Sequence, residues 1–159
     1  MKKTCKILVL ILTLFLITGC DSKKLNRIGG IIELKLDNCK IRMDEDTHGG
    51  FLGDGEYFAK IECDTENESI KESWKELPLG AEIQKIMTLI QCGDKGCLTA
   101  FERYNIPNIK NGYYYFVDRH SEAVDKHNEE ELNNRASYNF SVCIYDSDNK
   151  LYYYYELDT

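Results

Sequence analysis

SYNFSVCIY (137–145), DSDNK (146–150) and LYYYYEL (151–157) follow one another in the chain. Two runs of aromatic and β-branched residues flank five turn-forming residues, the pattern of an antiparallel hairpin. Asp146 and Asp148 also suggest a calcium loop, but its fifth and twelfth positions would be Lys150 and Leu157, which excludes an EF-hand. Working outward, YYYFV (113–117) reads as another strand. CGDKGC (92–97) is a tight turn between a strand from Ile86 and a return through Leu98 to Tyr104. Glu56–Cys63 places Tyr57, Ala59, Ile61 and Cys63 on one face and Lys60 and Glu62 on the other, a half-buried strand. Ile31–Met43 reads as a strand broken or bulged near Asp37-Asn38.

Helical signals are few. Thr65-Glu66-Asn67-Glu68 fits a capping box, and Ile70, Trp74 and Leu77 follow on one helical face until Pro78 ends it. A short helical turn is expected from Ala81 to about Lys85. The predicted fold is therefore α+β: a predominantly antiparallel β-sheet of about six or seven strands built from hairpins, with one or two short helices.

Residues 1–20 read MKKTCKILVLILTLFLITGC. Lys2, Lys3 and Lys6 precede an apolar run from Ile7 to Ile17, which as a helix rises about 16 Å against the ~30 Å of a bilayer core. That is a signal peptide rather than a permanent span. Ile17-Thr18-Gly19-Cys20 resembles the lipobox of bacterial lipoproteins, which implies cleavage before Cys20 and lipidation of its sulfur. Two acyl chains anchor a domain stably, so the expected location is the outer face of the bacterial cytoplasmic membrane. The predicted organisation is a signal peptide over 1–19, the lipidated Cys20 and a tether over 20–30, and one globular extracytoplasmic domain over 31–159. The tether would reach at most ~35 Å.

Losing Lys2, Lys3 and Lys6 leaves 17 of the 20 basic residues against 27 acidic ones, a formal charge of −10. This balance argues against nucleic acid as a partner and favours cationic ligands. Of seven cysteines, Cys5 leaves with the signal and Cys20 takes lipid. Cys92 and Cys97 flank one turn, and Cys39 and Cys63 are symmetric about Phe51, so each pair is placed to bridge its own hairpin. Disulfides and buried or exposed thiols both remain open for these four, and Cys143 is left over. A single C-x₄-C without a second pair does not make a zinc site.

Two polar loops hold the candidate chemistry. The Gly-rich DTHGGFLGDG (46–55) carries His48 and Asp54, and DRHSE (118–122) carries Asp118 and His120. If the sheet brings them together, His48, Asp54, Asp118 and His120 form a ligand-binding site, an acid–base pair or a metal site. The competing reading has the aspartates in Asx turns and the imidazoles bonded to loop backbone. No H-E-x-x-H or G-x-S-x-G motif is present, and Ser121 has no evident oxyanion hole. No catalytic residue, metal ligand or cofactor is therefore assigned, and His127 reads as solvated. The eleven tyrosines suggest either a sugar- or peptide-binding platform or sheet packing with hydroxyls at the solvent edge.

The segments DTHGGFLGDG, WKELPL, YYYFVDRHS and NFSVCIYDSDNKLYYYYELDT resemble small uncharacterised lipoproteins of low-GC Gram-positive bacteria over roughly residues 40–159. The resemblance implies export and anchoring and carries no activity. The functional expectation is a non-enzymatic binding or accessory module for a cationic or polyhydroxylated partner. The alternative is a cell-envelope hydrolase using the Asp/His loops, with or without a metal.

Overall fold

The computed structural model describes residues 21–49, 53–64, 70–93 and 95–159. Among them, β1 (Cys39–Asp46), β2 (Gly55–Cys63), β3 (Lys75–Glu76), β6 (Gly112–Asp118), β7 (Asn139–Asp146) and β8 (Leu151–Asp158) form one sheet in the order β1-β2-β8-β7-β6-β3. Every pairing is antiparallel. β4 (Gln91–Gly93) and β5 (Gly96–Leu98) make a separate ribbon. The fold is α+β and predominantly antiparallel, as the turn chemistry implies. At the β7–β8 turn, Asp146 Oδ1 accepts the N–H groups of Asp148 and Asn149, both at 3.1 Å, and Lys150 takes a φ of +55°. The bulge expected in β1 lies between Ile41 and Met43 rather than at Asp37-Asn38, which form a turn ahead of the strand.

Both faces of this sheet are covered, so its central strands are not half-buried. One face packs Tyr57, Ile61, Tyr115, Tyr152 and Tyr154 beneath Leu25, Ile28, Ile32, Leu34, Leu36 and Trp74. The other packs Phe58, Phe116, Phe140, Val142 and Tyr155 beneath α3 (Ala81–Met87), α4 (Ala100–Arg103) and Leu132. Successive strand residues point to opposite faces, so all of Tyr152–Tyr155 are buried and none forms a surface platform. Nor do the hydroxyls of Tyr154 and Tyr155 reach a solvent edge: Tyr154 donates to Glu156 and accepts from Ser141, and Tyr155 donates to Glu56.

The expected tether is instead a helix, α1, over 21–31, with Leu25 and Ile28 in the core. α1 crosses the first face of the sheet. Lys24 pairs with Asp44 on β1, Arg27 lies 4.7 Å from the Tyr57 ring on β2, and its guanidinium reaches both oxygens of Glu156 on β8 at 2.9 and 3.0 Å. Just past the helix, Glu33 lines a cavity with Tyr115 on β6. Ile32, Leu34 and Leu36 are buried in the parity expected of a strand, but the chain pairs as a strand only from Cys39.

The helix expected around Trp74 ends earlier than its periodicity suggests. α2 covers Ile70–Ser73, and Lys75–Glu76 pairs with β6 instead of continuing it. The capping box at 65–68 lies outside the described residues. Conversely, α3 runs to Met87 and the strand expected from Ile86 begins at Gln91. The return strand over 98–104 stops at Leu98 because Thr99 and Glu102 form a capping box that starts α4.

Cys39 joins Cys63 and Cys92 joins Cys97, each pair directly opposed in its hairpin. Cys143 is free and fully buried, and burial pushes its thiol pKa upward. The bridges span 24 and 5 residues of sequence. In the loop-entropy account, removing the first costs about 3–4 kcal/mol and the second about 2 kcal/mol. Guanidinium unfolding of Cys39→Ala/Cys63→Ala and Cys92→Ala/Cys97→Ala is expected to show that order. The reverse order would mean that native contacts, and not loop length, set the difference.

Candidate functional site

The two loops named from sequence do lie at one end of the sheet, where β1, β6 and β8 end and β2 and β7 begin. They are tied shut there. His48 Nδ1 lies 2.7 Å from Asp46 Oδ1 and Nε2 lies 3.1 Å from Asp158 Oδ2, so neither ring nitrogen is left for a metal. Burial pulls the Asp46 pKa upward, but hydrogen bonds from the His48 ring and amide outweigh it and hold the carboxyl below its usual range. Gly53 takes a φ of +74°, and a side chain at Gly55 would run into the His48 backbone; these two glycines let the loop close. Asp54 is exposed beside them.

The second set is equally committed. Asp118 is fully buried, pairs with Arg135 at 2.9 Å and accepts the His120 N–H at 2.9 Å. The His120 ring accepts the Glu122 N–H at Nδ1 and faces Ser137 Oγ with Nε2, both at 3.2 Å. What joins the two loops is Asp158, whose Oδ1 takes the Arg119 guanidinium at 2.7 Å while Oδ2 faces His48. His48 and His120 thus have separate partners. Among the described residues, no group of three His, Cys, Asp or Glu side chains is placed to hold a metal ion. His127 is exposed, but its ring is not simply solvated: Nδ1 lies 3.0 Å from the Phe116 carbonyl, where its N–H can donate.

A second polar site lies at the β3 edge of the sheet. β3 pairs Lys75 with Tyr114, and the chain then turns through the cis Leu77–Pro78 bond to Gly80 at the start of α3. Facing it, Asn128 caps a 3-10 helix over Glu129–Asn134 by accepting the Glu130 N–H. Between them is a cleft of about 500 Å³, whose polar lining is Lys75, Glu82, Asn128, Glu129, Glu130 and Asn133. On the other side of Lys75 lies a second cavity of about 250 Å³ bordered by Glu33, Tyr115 and His127.

Glu129 anchors the larger cleft. Its Oε1 accepts from Lys75 Nζ at 3.0 Å and the Tyr114 hydroxyl at 2.9 Å. Its Oε2 is buried with no hydrogen-bond partner, and a side chain at Gly80 would overlap this carboxylate. Burial, then the hydrogen bond and charge of Glu129, push the Tyr114 pKa up to about 12. Tyr115 is pushed up to about 12 by burial and by Glu33. Glu82, Glu129 and Glu130 outnumber Lys75, and the two asparagine amides both donate and accept. The cleft therefore suits ammonium or hydroxyl donors. NEEELNN (128–134) is the sequence signal for it, hidden within a polar excursion that carries no spacing rule. No protein-family model matches the chain, and neither a curated protein nor a solved structure matches it.

Proposed function

We propose that the protein is a lipoprotein anchored through Cys20 at the outer face of the bacterial cytoplasmic membrane, where it acts as a non-enzymatic module that binds a cationic partner in the cleft between β3, α3 and the 3-10 helix. The observation that carries the binding reading is the acid-rich lining of this cleft, in which Glu82, Glu129 and Glu130 outnumber Lys75. Two disulfides suit an oxidising compartment. The residues Leu77, Pro78 and Leu79, just ahead of this lining, border a cleft of about 340 Å³ with Phe101 and Ile106, its surface part apolar and part polar. A basic, partly apolar peptide matches both. The hydrolase alternative has less support, since Asp118 and His120 are held by Arg135 and Ser137.

A lysine- and leucine-containing peptide and a neutral disaccharide, each titrated by calorimetry, test the reading. The peptide is expected to bind, with affinity falling as salt screens the carboxylates. Glu82→Gln/Glu130→Gln, which alters two cleft residues outside the Glu129 hydrogen bonds, should weaken it by about tenfold or more, equivalent to ~1.4 kcal/mol. Binding of the disaccharide alone would transfer the site to polyhydroxylated ligands. Binding of neither would remove the cleft as the site.

A further inference from the structure

α1 ties the anchor to one edge of the sheet. From residue 24 to residue 27 the chain meets β1 through Asp44, β2 through Tyr57 and β8 through Glu156, and Glu33 then lines a cavity with Tyr115 of β6. It thus runs across the strands, and its first residues lie at the β1 edge. Asp21, the first described residue of this helix, immediately follows Cys20 in sequence, a Cα separation of about 3.8 Å. A flexible tether would have let the body turn freely up to ~35 Å from the bilayer. A docked helix removes that freedom.

On this basis we propose that the β1 edge of the sheet is the membrane-facing surface and that the acidic cleft, at the β3 edge, points away from the lipid. This rests on the reading that Cys20 is lipidated. Five inter-strand steps separate the two edges, about 24 Å at the usual strand spacing. The charges agree with the arrangement. The anchored edge interleaves Lys23, Lys24, Lys40, Arg42 and Lys95 with Asp21, Asp44, Glu45, Asp46 and Glu62, with Lys24 paired to Asp44, Arg42 to Glu62 and Lys95 to Glu45. The opposite edge carries the glutamate-rich cleft. An anionic lipid surface repels the second more than the first. A cleft turned outward is also open to a partner arriving from outside the cell.

The test uses the mature lipidated protein in nanodiscs of phosphatidylcholine and phosphatidylglycerol with a trace of gadolinium-chelating headgroup lipid. Relaxation enhancement of backbone amides reports distance from the headgroups. Amides of Lys40–Asp46 are expected to relax about tenfold faster, or more, than those of Lys75–Glu76 and Glu129–Asn133, given the ~24 Å between the edges. Equal enhancement at both edges, or the reverse contrast, in a protein that co-purifies with the discs overturns the orientation while leaving the anchor intact. Cys20→Ala is expected to lose both acyl labelling and disc binding. If the variant keeps both, the anchoring reading falls, and the orientation falls with it.

Discussion

A chain carrying Glu56→Ala is expected to lose about 3–5 kcal/mol of unfolding free energy, a large share of what holds a domain of this size together. Glu56 is 4 % exposed, at the start of β2, and its carboxylate is fully engaged. Oε1 accepts from the Tyr155 hydroxyl at 2.6 Å, and Oε2 accepts from the Tyr104 hydroxyl at 2.8 Å and from Arg103. Deleting it strands a mostly buried guanidinium and two buried phenols at once, and an uncompensated buried charge is the costly part. The same Arg103 donates to the carbonyls of Gln91 and Leu98, at 3.1 and 3.4 Å, so the β4–β5 ribbon should loosen as well. Guanidinium denaturation should show a lower midpoint with an unchanged slope, and ribbon amides should exchange hydrogen faster. For contrast, Glu62→Ala breaks only an ion pair with Arg42 whose side chains are 43 % and 53 % exposed, worth about 0.5 kcal/mol or less. A Glu56→Ala loss no larger than that of Glu62→Ala would show that the cluster relaxes into water.

The hairpins were legible because their information is local. DSDNK needs only Asp146 to accept the amides two and three residues on, those of Asp148 and Asn149, and the opposition of Cys39 to Cys63 follows from counting about the loop between them. What sequence could not show is that both faces of the sheet are covered. Period-two alternation puts Glu56, Lys60 and Glu62 on one side of β2, and a half-buried sheet would send all three to water. α3 and α4 cover that side near Glu56, so this carboxylate is the centre of a buried cluster. α1 was missed for a different reason. Leu25, Ile28 and Ile32 have helical spacing, but the Gly29-Gly30 pair reads as a break. Gly29 is needed because a side chain there would strike the Leu34 carbonyl as the chain turns back, with the Leu34 N–H bonded to the Gly29 carbonyl at 2.9 Å. Whether the two polar loops meet depends on the strand order, and Asp158, which joins them, lies far from both in sequence and carries no motif. The Glu129 cleft was illegible for a similar reason, since it joins β3, the start of α3 and a 3-10 helix.

Raising the pH is expected to unfold the protein cooperatively between about pH 10 and 12, driven by its buried tyrosines. Tyr104, Tyr154 and Tyr155 are 2 %, 0 % and 1 % exposed. Burial is the largest cause raising their pKa values, followed by the carboxylates they serve: Glu56 for Tyr104 and Tyr155, and Glu156 for Tyr154. In the unfolded chain these phenols ionise near pH 10, so above that pH the unfolded state releases protons that the folded state still holds. Their stabilising contribution is therefore whole below about pH 10 and is lost as pH rises toward the folded values. Each phenol removes about 1.4 kcal/mol per pH unit in that window, so the three remove about 4 kcal/mol per unit, enough to exhaust an ordinary domain's stability within two to three units. Phenolate absorbance and far-ultraviolet circular dichroism should consequently change together in one steep transition. Tyr155→Phe removes one of the three groups and should make the loss of stability with pH about one-third shallower, although it starts lower because Glu56 gives up a donor. A gradual rise in phenolate absorbance near pH 10 with unchanged circular dichroism would mean that these rings open to water without unfolding, and that the Tyr–Glu clusters are not sealed by the core.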